Sequence, residues 1–336
     1  MQAVIFGCEG QELSARERAF FIEADPWGLI LFARNIDTPD QVHGLIENVR
    51  SALGRTLPVL IDQEGGRVAR LAPPIWKQWA PARDFCDAAG ARYRAAMYLR
   101  GRMIAAELFA LGIDVNCAPI LDLAGDDTHA IIKNRCYGTD PGAVAKAGRA
   151  LSEGQAHGGV LSVIKHIPGH GRGNADSHLG LPRVDTGLEE LRSHDFAPFK
   201  ALSDLPMAMT AHIVYEAIDP ELPATLSPAV IREIRSFIGF SGLLITDDLS
   251  MNALGGAFGE RARRVLGAGC DMILHCNGNL AEMEPVAANT PRLDGLSLLR
   301  ADAALARRQV PDDFDPIEGA AALKNLMGDI SRCPMI

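Results

Sequence analysis

The sequence lacks the marks of membrane proteins and of disulfide-bonded secreted proteins. No span approaches the roughly 20 apolar residues that cross a bilayer. The first apolar run, residues 3–7, is too short for the core of a signal peptide, and no basic residue precedes it. The seven cysteines are an odd set without a CxxC pair, which indicates free thiols in a reducing compartment. We therefore expect a cytoplasmic protein with no membrane partner.

The sequence is also poor in positive charge and in aromatic residues. The formal net charge is −9, aromatic residues make up 6% of the chain, and no run of Lys and Arg is interleaved with aromatics. Such a chain has no large region of positive electrostatic potential that would bind a polyanion, so nucleic acid is not an expected partner. With 48% hydrophobic and 22% charged residues, it has enough apolar material for a sizeable folded core.

The pattern of apolar runs predicts a single (β/α)8 barrel of the α/β class. Eight short runs that suit buried parallel strands lie at residues 3–7, 28–32, 58–62, 114–118, 159–166, 205–212, 242–247 and 271–276. Stretches with helical spacing lie between them, at residues 40–53, 91–111, 140–157, 186–203, 227–238 and 256–269. Eight alternations favour a closed barrel over an open sheet. No repeat or linker divides the chain, so residues 1–336 are expected to form one catalytic domain, with a core over roughly residues 1–290 and peripheral helices and a tail over roughly 291–336.

Ionisable residues follow several of the predicted strands directly. Lys165 and His166 end the fifth run, and Asp247 and Asp248 end the seventh. Active sites of such barrels lie at the carboxyl ends of the strands, so these side chains are expected to meet on one rim. His212 ends the sixth run, and its residue type and position fit a pocket wall or a satisfied core histidine equally well.

The run KHIPGHGRGNADSHLGLP, which begins at Lys165, is the densest group of ionisable residues. It contains Lys165, His166, His170, Asp176 and His178. Three interpretations are open from the residues alone: turns with exposed histidines, a zinc site, or acid–base catalysis in which Asp176 orients the ring of His178.

This run closely resembles the KHFPGHG(x)4DSHxxxP signature of family 3 glycoside hydrolases, in the β-N-acetylglucosaminidase branch that serves bacterial cell-wall recycling. Ile167 stands where Phe is usual, which leaves the polar set intact. Four further segments resemble the family in the expected order: DQEGGRVAR from Asp62, APILD from Ala118, NRCYGTD around Arg135 and ITDDLSM from Ile245.

The resemblance implies the site residues one position at a time. It implies that Asp247 is the nucleophile, with Asp248 as the adjacent alternative, and that His178 is the general acid/base with Asp176 as its partner. It implies a sugar-binding set of Asp62, Arg70, Arg135, Lys165 and His166. No metal and no cofactor is expected. From the three glycines around His170 we expect a mobile loop that carries His178 inward over bound sugar.

The implied reaction is retaining hydrolysis of terminal β-linked N-acetylglucosamine from peptidoglycan-derived N-acetylglucosaminyl muropeptides. The alternatives are a β-glucosidase-like exoglycosidase of the same family, a metal-dependent hydrolase and a non-catalytic sugar-binding barrel. Phosphorolysis is a conceivable side reaction, because a histidine that has given up its proton repels an anionic acceptor less than a carboxylate does. The sequence predicts no oligomeric state.

Overall fold

The eight predicted strands form one closed parallel barrel. The computed structural model describes residues 1–125, 128, 130–173 and 181–327. Its barrel strands are β1 (Gln2–Gly7), β2 (Pro26–Leu31), β3 (Val59–Ile61), β4 (Val115–Asn116), β5 (Leu161–Ile167), β6 (Met207–Thr210), β7 (Leu243–Asp248) and β8 (Met272–His275). Each strand pairs in parallel with its neighbours in chain order, and β8 closes the barrel on β1. The predicted fold class is therefore confirmed.

Helices surround the barrel. They are α1 (Ala15–Ala24), α2 (Pro39–Leu53), α3 (Ala82–Ala89), α4 (Tyr93–Ala110), α5 (Ala130–Lys133), α6 (Pro141–His157), α7 (Leu188–Ser193), α8 (Ala197–Ala201), α9 (Pro228–Glu233), α10 (Phe258–Ala268), α11 (Leu280–Ala288), α12 (Gly295–Ala306) and α13 (Pro316–Met327). The helix expected over residues 186–203 is split into α7 and α8. Pro198 in the first turn of α8 explains the break, because proline has no N–H for a helical bond to the preceding turn.

Alternation along the strands decides which side chains fill the barrel. On β1, Val4 and Phe6 pack between the strands and the helices, whereas Ile5 belongs to a separate cluster inside the barrel. The interior cluster also contains Leu60, Val163 and Ile245. Since side chains alternate with a period of two, the next interior positions toward the carboxyl ends are Asp62, Lys165 and Asp247. The sequence therefore places three of the predicted site residues at the top of the barrel interior.

The amino-terminal end of the barrel is closed by α12. Ala301 and Ala304 of this helix are fully buried and pack with Trp27 and other interior residues. Beyond it, α13 packs against α4 and buries Leu323. Arg102 of α4 lies 4.4 Å from the centre of the Phe314 ring, which fixes the segment that leads into α13. Among the described residues, no helix is long and apolar enough to span a membrane.

Two glycines bring α4 and α6 into backbone contact. A Cβ atom at Gly101 would lie 2.4 Å from the Leu151 carbonyl oxygen, and one at Gly154 would lie 2.2 Å from the Tyr98 carbonyl oxygen. Both distances are well inside van der Waals contact, and the obstructing atoms belong to helix backbones that cannot turn aside. The two helices can therefore approach this closely only with glycine at both positions.

We predict that Gly154→Ala lowers the free energy of unfolding by about 2 kcal/mol, because the added methyl group forces the helices apart. The control is Gly44→Ala in α2, where a Cβ atom would meet nothing within 4 Å. That change should raise stability by roughly 0.5 kcal/mol through helix propensity. Urea unfolding of both variants checks the prediction, and equal effects of the two changes would contradict it.

Candidate active site

A cavity of about 390 Å³ opens at the carboxyl ends of the barrel strands. Its volume lies within the range of small-molecule sites. The five predicted sugar-binding residues and the predicted nucleophile all line this cavity. They are Asp62, Arg70, Arg135, Lys165, His166 and Asp247. The structure thus brings together residues from two strands, β5 and β7, and from the connections that contain Asp62, Arg70 and Arg135.

Lys165 lies at the centre of the cavity wall. Its side chain is only 3% exposed, and its Nζ atom lies 2.7 Å from Asp62 Oδ1 and 2.7 Å from Glu64 Oε1. Arg70 reaches the other oxygen of Asp62 at 3.0 Å. An ammonium removed from water at this depth is stable only when it is paired, and here two carboxylates pair it.

Glu64 joins this network although the sequence analysis did not select it. Its carboxylate accepts two hydrogen bonds from Arg135, at 2.9 Å from Nε and 2.8 Å from Nη2. This bidentate geometry fixes the plane of the guanidinium. The five charged groups form one buried chain in the order Arg70, Asp62, Lys165, Glu64 and Arg135.

The charges in this chain fix one another's ionisation. Burial alone would raise the pKa of Asp62, but Lys165 and Arg70 outweigh burial and hold that pKa well below its usual range. Arg135 and Lys165 act in the same way on Glu64, whose pKa is also lowered. Burial would lower the pKa of Lys165, yet the two carboxylates raise it above its ordinary value. Asp62, Glu64 and Lys165 therefore stay charged.

A β-hairpin positions Glu64 and Arg70. Its strands, Gln63–Gly65 and Val68–Ala69, follow β3 directly. Gln63 accepts hydrogen bonds from the Arg70 and Leu71 amides, at 2.8 and 3.0 Å, and donates to the Leu71 carbonyl at 3.0 Å. Asn116 at the end of β4 bonds both the amide and the carbonyl of Gln63. These bonds lock the hairpin to the barrel.

Arg100 holds the same hairpin from outside the cavity. This buried guanidinium on α4 donates to the Glu64 carbonyl at 2.5 Å and to the Ala80 carbonyl at 2.9 Å. Its guanidinium carbon lies 5.3 and 4.6 Å from the centres of the Trp79 and Phe85 rings. A side chain at Gly65 would collide with this guanidinium, and the backbone there has a φ of 110°, which favours glycine.

Asp122 orients His166. This fully buried carboxylate accepts from His166 Nδ1 at 2.7 Å and from the backbone amide of His170 at 2.6 Å. Burial raises the pKa of Asp122, but the two histidines outweigh burial and lower it. An ionised carboxylate cannot donate, so the proton of this bond lies on Nδ1, and Nε2 of His166 is left available to the cavity. Asp122 ends the APILD segment, yet it was not among the predicted site residues.

Asp247 and Asp248 differ in their hydrogen bonds. Both Asp248 oxygens are engaged, Oδ1 by the amides of Ser250 and Cys276 and Oδ2 by the Ser250 hydroxyl. Asp247 accepts one hydrogen bond among the described residues, from the Asp248 amide to Oδ1 at 2.8 Å. Its pKa is lowered, because His212, His166 and Lys165 outweigh the effect of burial. Asp247 therefore presents an ionised carboxylate to the cavity, and one of its oxygens has no hydrogen bond from the described part of the chain.

His212 supports this strand end and does not line the cavity. It is fully buried, and its Nε2 donates to the Asp248 carbonyl at 3.0 Å. Burial lowers the pKa of His212, and its Nδ1 pairs with the Thr225 hydroxyl at 2.8 Å. Thr225 contacts Thr210 at 2.8 Å, and Thr210 accepts from the Asp247 amide at 3.3 Å. The sequence left two roles open for His212, a pocket wall and a satisfied core histidine, and the structure shows the second.

The predicted acid/base pair, Asp176 and His178, lies outside the described residues, so its geometry is untested. The segment before it is tightly packed: a Cβ atom at Gly171 would lie 1.9 Å from the Leu123 carbonyl oxygen, and one at Gly173 would lie 2.9 Å from the His170 ring. Close contact therefore accounts for these two glycines. Within the described ranges, no group of three His, Cys, Asp or Glu side chains could hold a metal ion.

Comparison with known proteins agrees with this geometry. The model of the glycosyl hydrolase family 3 N-terminal domain matches residues 12–307. The chain belongs to glycosyl hydrolase family 3. The β-hexosaminidase of Alkalilimnicola ehrlichii is 39% identical over 82% of this chain and 80% of its own length. The resemblance predicted from the motifs, to the family's β-N-acetylhexosaminidases, is confirmed.

Solved structures of family 3 resemble the whole barrel. Native NagZ from Neisseria gonorrhoeae superposes with a TM-score of 0.84 at 30% identity and covers 97% of this chain and 96% of its own. The same protein has been solved in complex with N-trifluoroacetyl-D-glucosamine. A family 3 β-N-acetylglucosaminidase from Paenibacillus also superposes with a TM-score of 0.84 at 30% identity, and this chain covers 66% of its length.

We predict that Glu64→Gln destabilises the family 3 barrel by about 3 kcal/mol, because Arg135 and Lys165 then lose their shared carboxylate while both remain buried. The matched control is Glu284→Gln, which breaks an ion pair with Arg16 whose two side chains are 53% and 73% exposed. Exposed pairs contribute at most about 1 kcal/mol. Chemical unfolding compares the two, and a loss no larger for Glu64→Gln than for the control would refute the prediction.

We also predict that His170 makes stability fall with acidity. Burial, with a smaller contribution from His166, lowers the pKa of His170 to about 4. Between its unfolded value near 6.5 and about 4, only the unfolded chain takes up the proton, so stability is lost as the pH falls through this window. From pH 7 to pH 5 the wild type should lose roughly 2 kcal/mol more than His170→Gln.

Unfolding free energies at the two pH values provide the measurement. His43, which is exposed on α2, supplies the control variant His43→Gln. This control should lose as much stability as the wild type over the same range. If His170→Gln also matched the wild type, the buried neutral state of His170 would be disproved.

Proposed function

We propose that this family 3 enzyme releases terminal β-linked N-acetylglucosamine from peptidoglycan-derived muropeptides, with retention of configuration, through a glycosyl-enzyme formed on Asp247. The observation that carries the proposal is the ionised Asp247 carboxylate, which lines the same cavity as the buried charge chain and has one oxygen without a hydrogen bond from the described residues. A nucleophile needs an ionised and unoccupied oxygen, and a lowered pKa supplies the first condition.

The first step displaces the aglycone. The open oxygen of Asp247 attacks the anomeric carbon, the bond from that carbon to the glycosidic oxygen breaks, and protonated His178 gives its proton to the departing oxygen. In the second step neutral His178 takes a proton from water, whose oxygen attacks the anomeric carbon and frees Asp247. Asp176 stabilises the imidazolium form in this scheme. The roles of both loop residues rest on the resemblance of the motif.

Asp248 is the weaker candidate for nucleophile. Although Asp248 also lines the cavity, three hydrogen bonds, two from Ser250 and one from the Cys276 amide, occupy its carboxylate. Attack by Asp248 would require those bonds to break first. Alternation along β7 also favours Asp247 as the nucleophile. Alternate side chains of this strand face the barrel interior, and Asp247 is two residues after the inward-facing Ile245.

The charge chain is suited to hold the hydroxyl groups of the sugar. Asp62 and Arg70 both lie on the cavity wall, where their remaining donor and acceptor positions face the ligand. Charge-assisted hydrogen bonds to hydroxyls are stronger than neutral ones. Because Lys165 and Arg135 are already fixed by carboxylates, the wall is ordered before the sugar arrives.

The choice of sugar and aglycone follows from the family branch. Relatives named β-hexosaminidase and a β-N-acetylglucosaminidase of known structure support N-acetylglucosamine as the glycon. We further propose muropeptides as the natural substrates and the cytoplasm as the compartment, on the basis of the motif resemblance. The same enzyme would then act in cell-wall recycling.

We predict that Asp247→Asn lowers kcat for 4-nitrophenyl β-N-acetylglucosaminide at least about a thousandfold, because the amide cannot form the glycosyl-enzyme. His178→Ala should slow turnover of a poor leaving group by about 10² to 10⁴, the usual range for a general acid. Release of 4-nitrophenol measures the effect of Asp247→Asn. Release of free N-acetylglucosamine from N-acetylglucosaminyl-β-1,4-N-acetylmuramic acid, which has a poor leaving group, measures the effect of His178→Ala.

Asp248→Asn is the matched control for the nucleophile, since it removes the neighbouring charge with the same change of shape. It should retain far more activity than Asp247→Asn. Proton NMR at early times should show the β-anomer as the first product. Full activity in Asp247→Asn, or an α-anomer as first product, would overturn the mechanism, and loss of activity in strong chelator would favour the metal-dependent alternative.

A further inference from the structure

Asp122 is a fully buried carboxylate to which the proposed mechanism gives no task. Its two oxygens serve different partners. Oδ1 accepts from the His170 amide at 2.6 Å, and the His166 amide lies 3.2 Å from Oδ1 and 3.4 Å from Oδ2. Oδ2 accepts from Nδ1 of the His166 ring at 2.7 Å. The backbone therefore fixes one oxygen of Asp122, which leaves the other to the ring.

This arrangement decides what the His166 ring offers to a ligand. An ionised carboxylate can only accept, so the ring carries a proton on Nδ1, and a neutral ring then has a lone pair at Nε2. The ring lines the cavity, and in the described part of the chain no hydrogen bond reaches Nε2. Edge-to-face contact with the His170 ring, at 5.7 Å between centres, holds the ring in place. His166 thus presents a fixed acceptor.

The other polar groups of the cavity wall make this acceptor valuable. Lys165, Arg70 and Arg135 can only donate, and each oxygen of Asp62 already accepts from one of these cations. A sugar hydroxyl brings one hydrogen and two lone pairs. A hydroxyl that accepts from a cation of this wall still needs an acceptor for its own hydrogen, since a buried donor without a partner weakens binding.

We propose that Asp122 is a positioning residue that acts through His166: it keeps the ring proton on Nδ1 and so makes Nε2 the acceptor for a hydroxyl of the bound sugar. The inference rests on the proposed function, which makes the ligand a sugar. It adds a requirement for the direction of one hydrogen bond. A sugar whose substituent at that position cannot donate is disfavoured.

The variant Asp122→Asn reverses this direction with little change of shape. The amides of His166 and His170 need an acceptor, so the carboxamide oxygen of the variant takes the place of Oδ1 and its NH2 group takes the place of Oδ2. That NH2 group donates to Nδ1 of His166, and the ring proton moves to Nε2. The same exchange changes the histidine tautomer in a catalytic triad.

The first measurement is nitrogen-15 NMR of the His166 ring at about pH 8, where an ordinary imidazole is neutral. The signal, assigned by its loss in His166→Gln, should show the Nδ1–H tautomer in the wild type and the Nε2–H tautomer in Asp122→Asn. This readout needs no turnover. A wild-type ring with its proton on Nε2 or on both nitrogens, or an unchanged tautomer in folded Asp122→Asn, would overturn the inference.

The second measurement compares 4-nitrophenyl β-N-acetylglucosaminide with its 3-, 4- and 6-deoxyfluoro analogues, because fluorine can accept but cannot donate. At one of these positions, the ratio of kcat/KM for the hydroxyl to that for the fluoro substrate should fall about tenfold in Asp122→Asn. The effect of fluorine on the chemistry cancels, since both enzymes use the same pair. In a His166→Gln background Asp122→Asn should leave every ratio unchanged, because the glutamine amide can turn to donate or accept.

Asp204→Asn is the control and should keep the wild-type ratios, because Asp204 forms an exposed ion pair with Arg149. A merely structural role of Asp122 would lower kcat/KM for all substrates alike, and such unchanged ratios would contradict the proposal. If the wild type releases no 4-nitrophenol the proposed function fails, while the tautomer still tests Asp122. Activity with an unchanged tautomer or unchanged ratios counts against Asp122 alone.

Discussion

The buried ammonium of Lys165 is the constraint on which the rest of the site depends. Removing such a charge from water costs several kcal/mol unless carboxylates compensate it. Asp62 and Glu64 do so at 2.7 Å each, which requires the end of β5 and the segment after β3 to meet at one point. Glu64 then binds Arg135 as well, and a loop far along the chain is drawn into the same wall.

Much of the surrounding structure keeps those carboxylates in place. Gln63 is bonded by Asn116 on the barrel side, and Arg100 holds the Glu64 carbonyl from the helical side. Both the barrel, through Asn116, and the surrounding helices, through Arg100, therefore support this wall of the cavity. Asp247 lines the same cavity in a different state, because it is ionised and one of its oxygens has no hydrogen bond from the described residues. A wall of mutually paired charges beside one reactive carboxylate suits a reaction that must first orient a neutral sugar.

Particular residues show how far sequence reasoning reached. The position of ionisable residues at strand ends was sufficient to predict that Lys165, His166, Asp247 and Asp248 meet on one rim, and all four line the cavity. Glu64 and Asp122 were missed although both lie inside quoted motifs. Their partners are 71 and 44 residues away, and nothing in a local pattern records such a contact.

By itself the sequence determined the barrel, the family and the rim on which the ionisable residues meet, because these depend on local periodicity and on motif spacing. Only the tertiary structure decided which charges are paired and which are open. Among the described residues, it left Asp247 with a free oxygen while Asp248 is bonded, and it paired Arg70 with Asp62 and His166 with Asp122. Pairing is decided by distances of a few ångströms between groups remote in sequence, and those distances exist only once the barrel has closed.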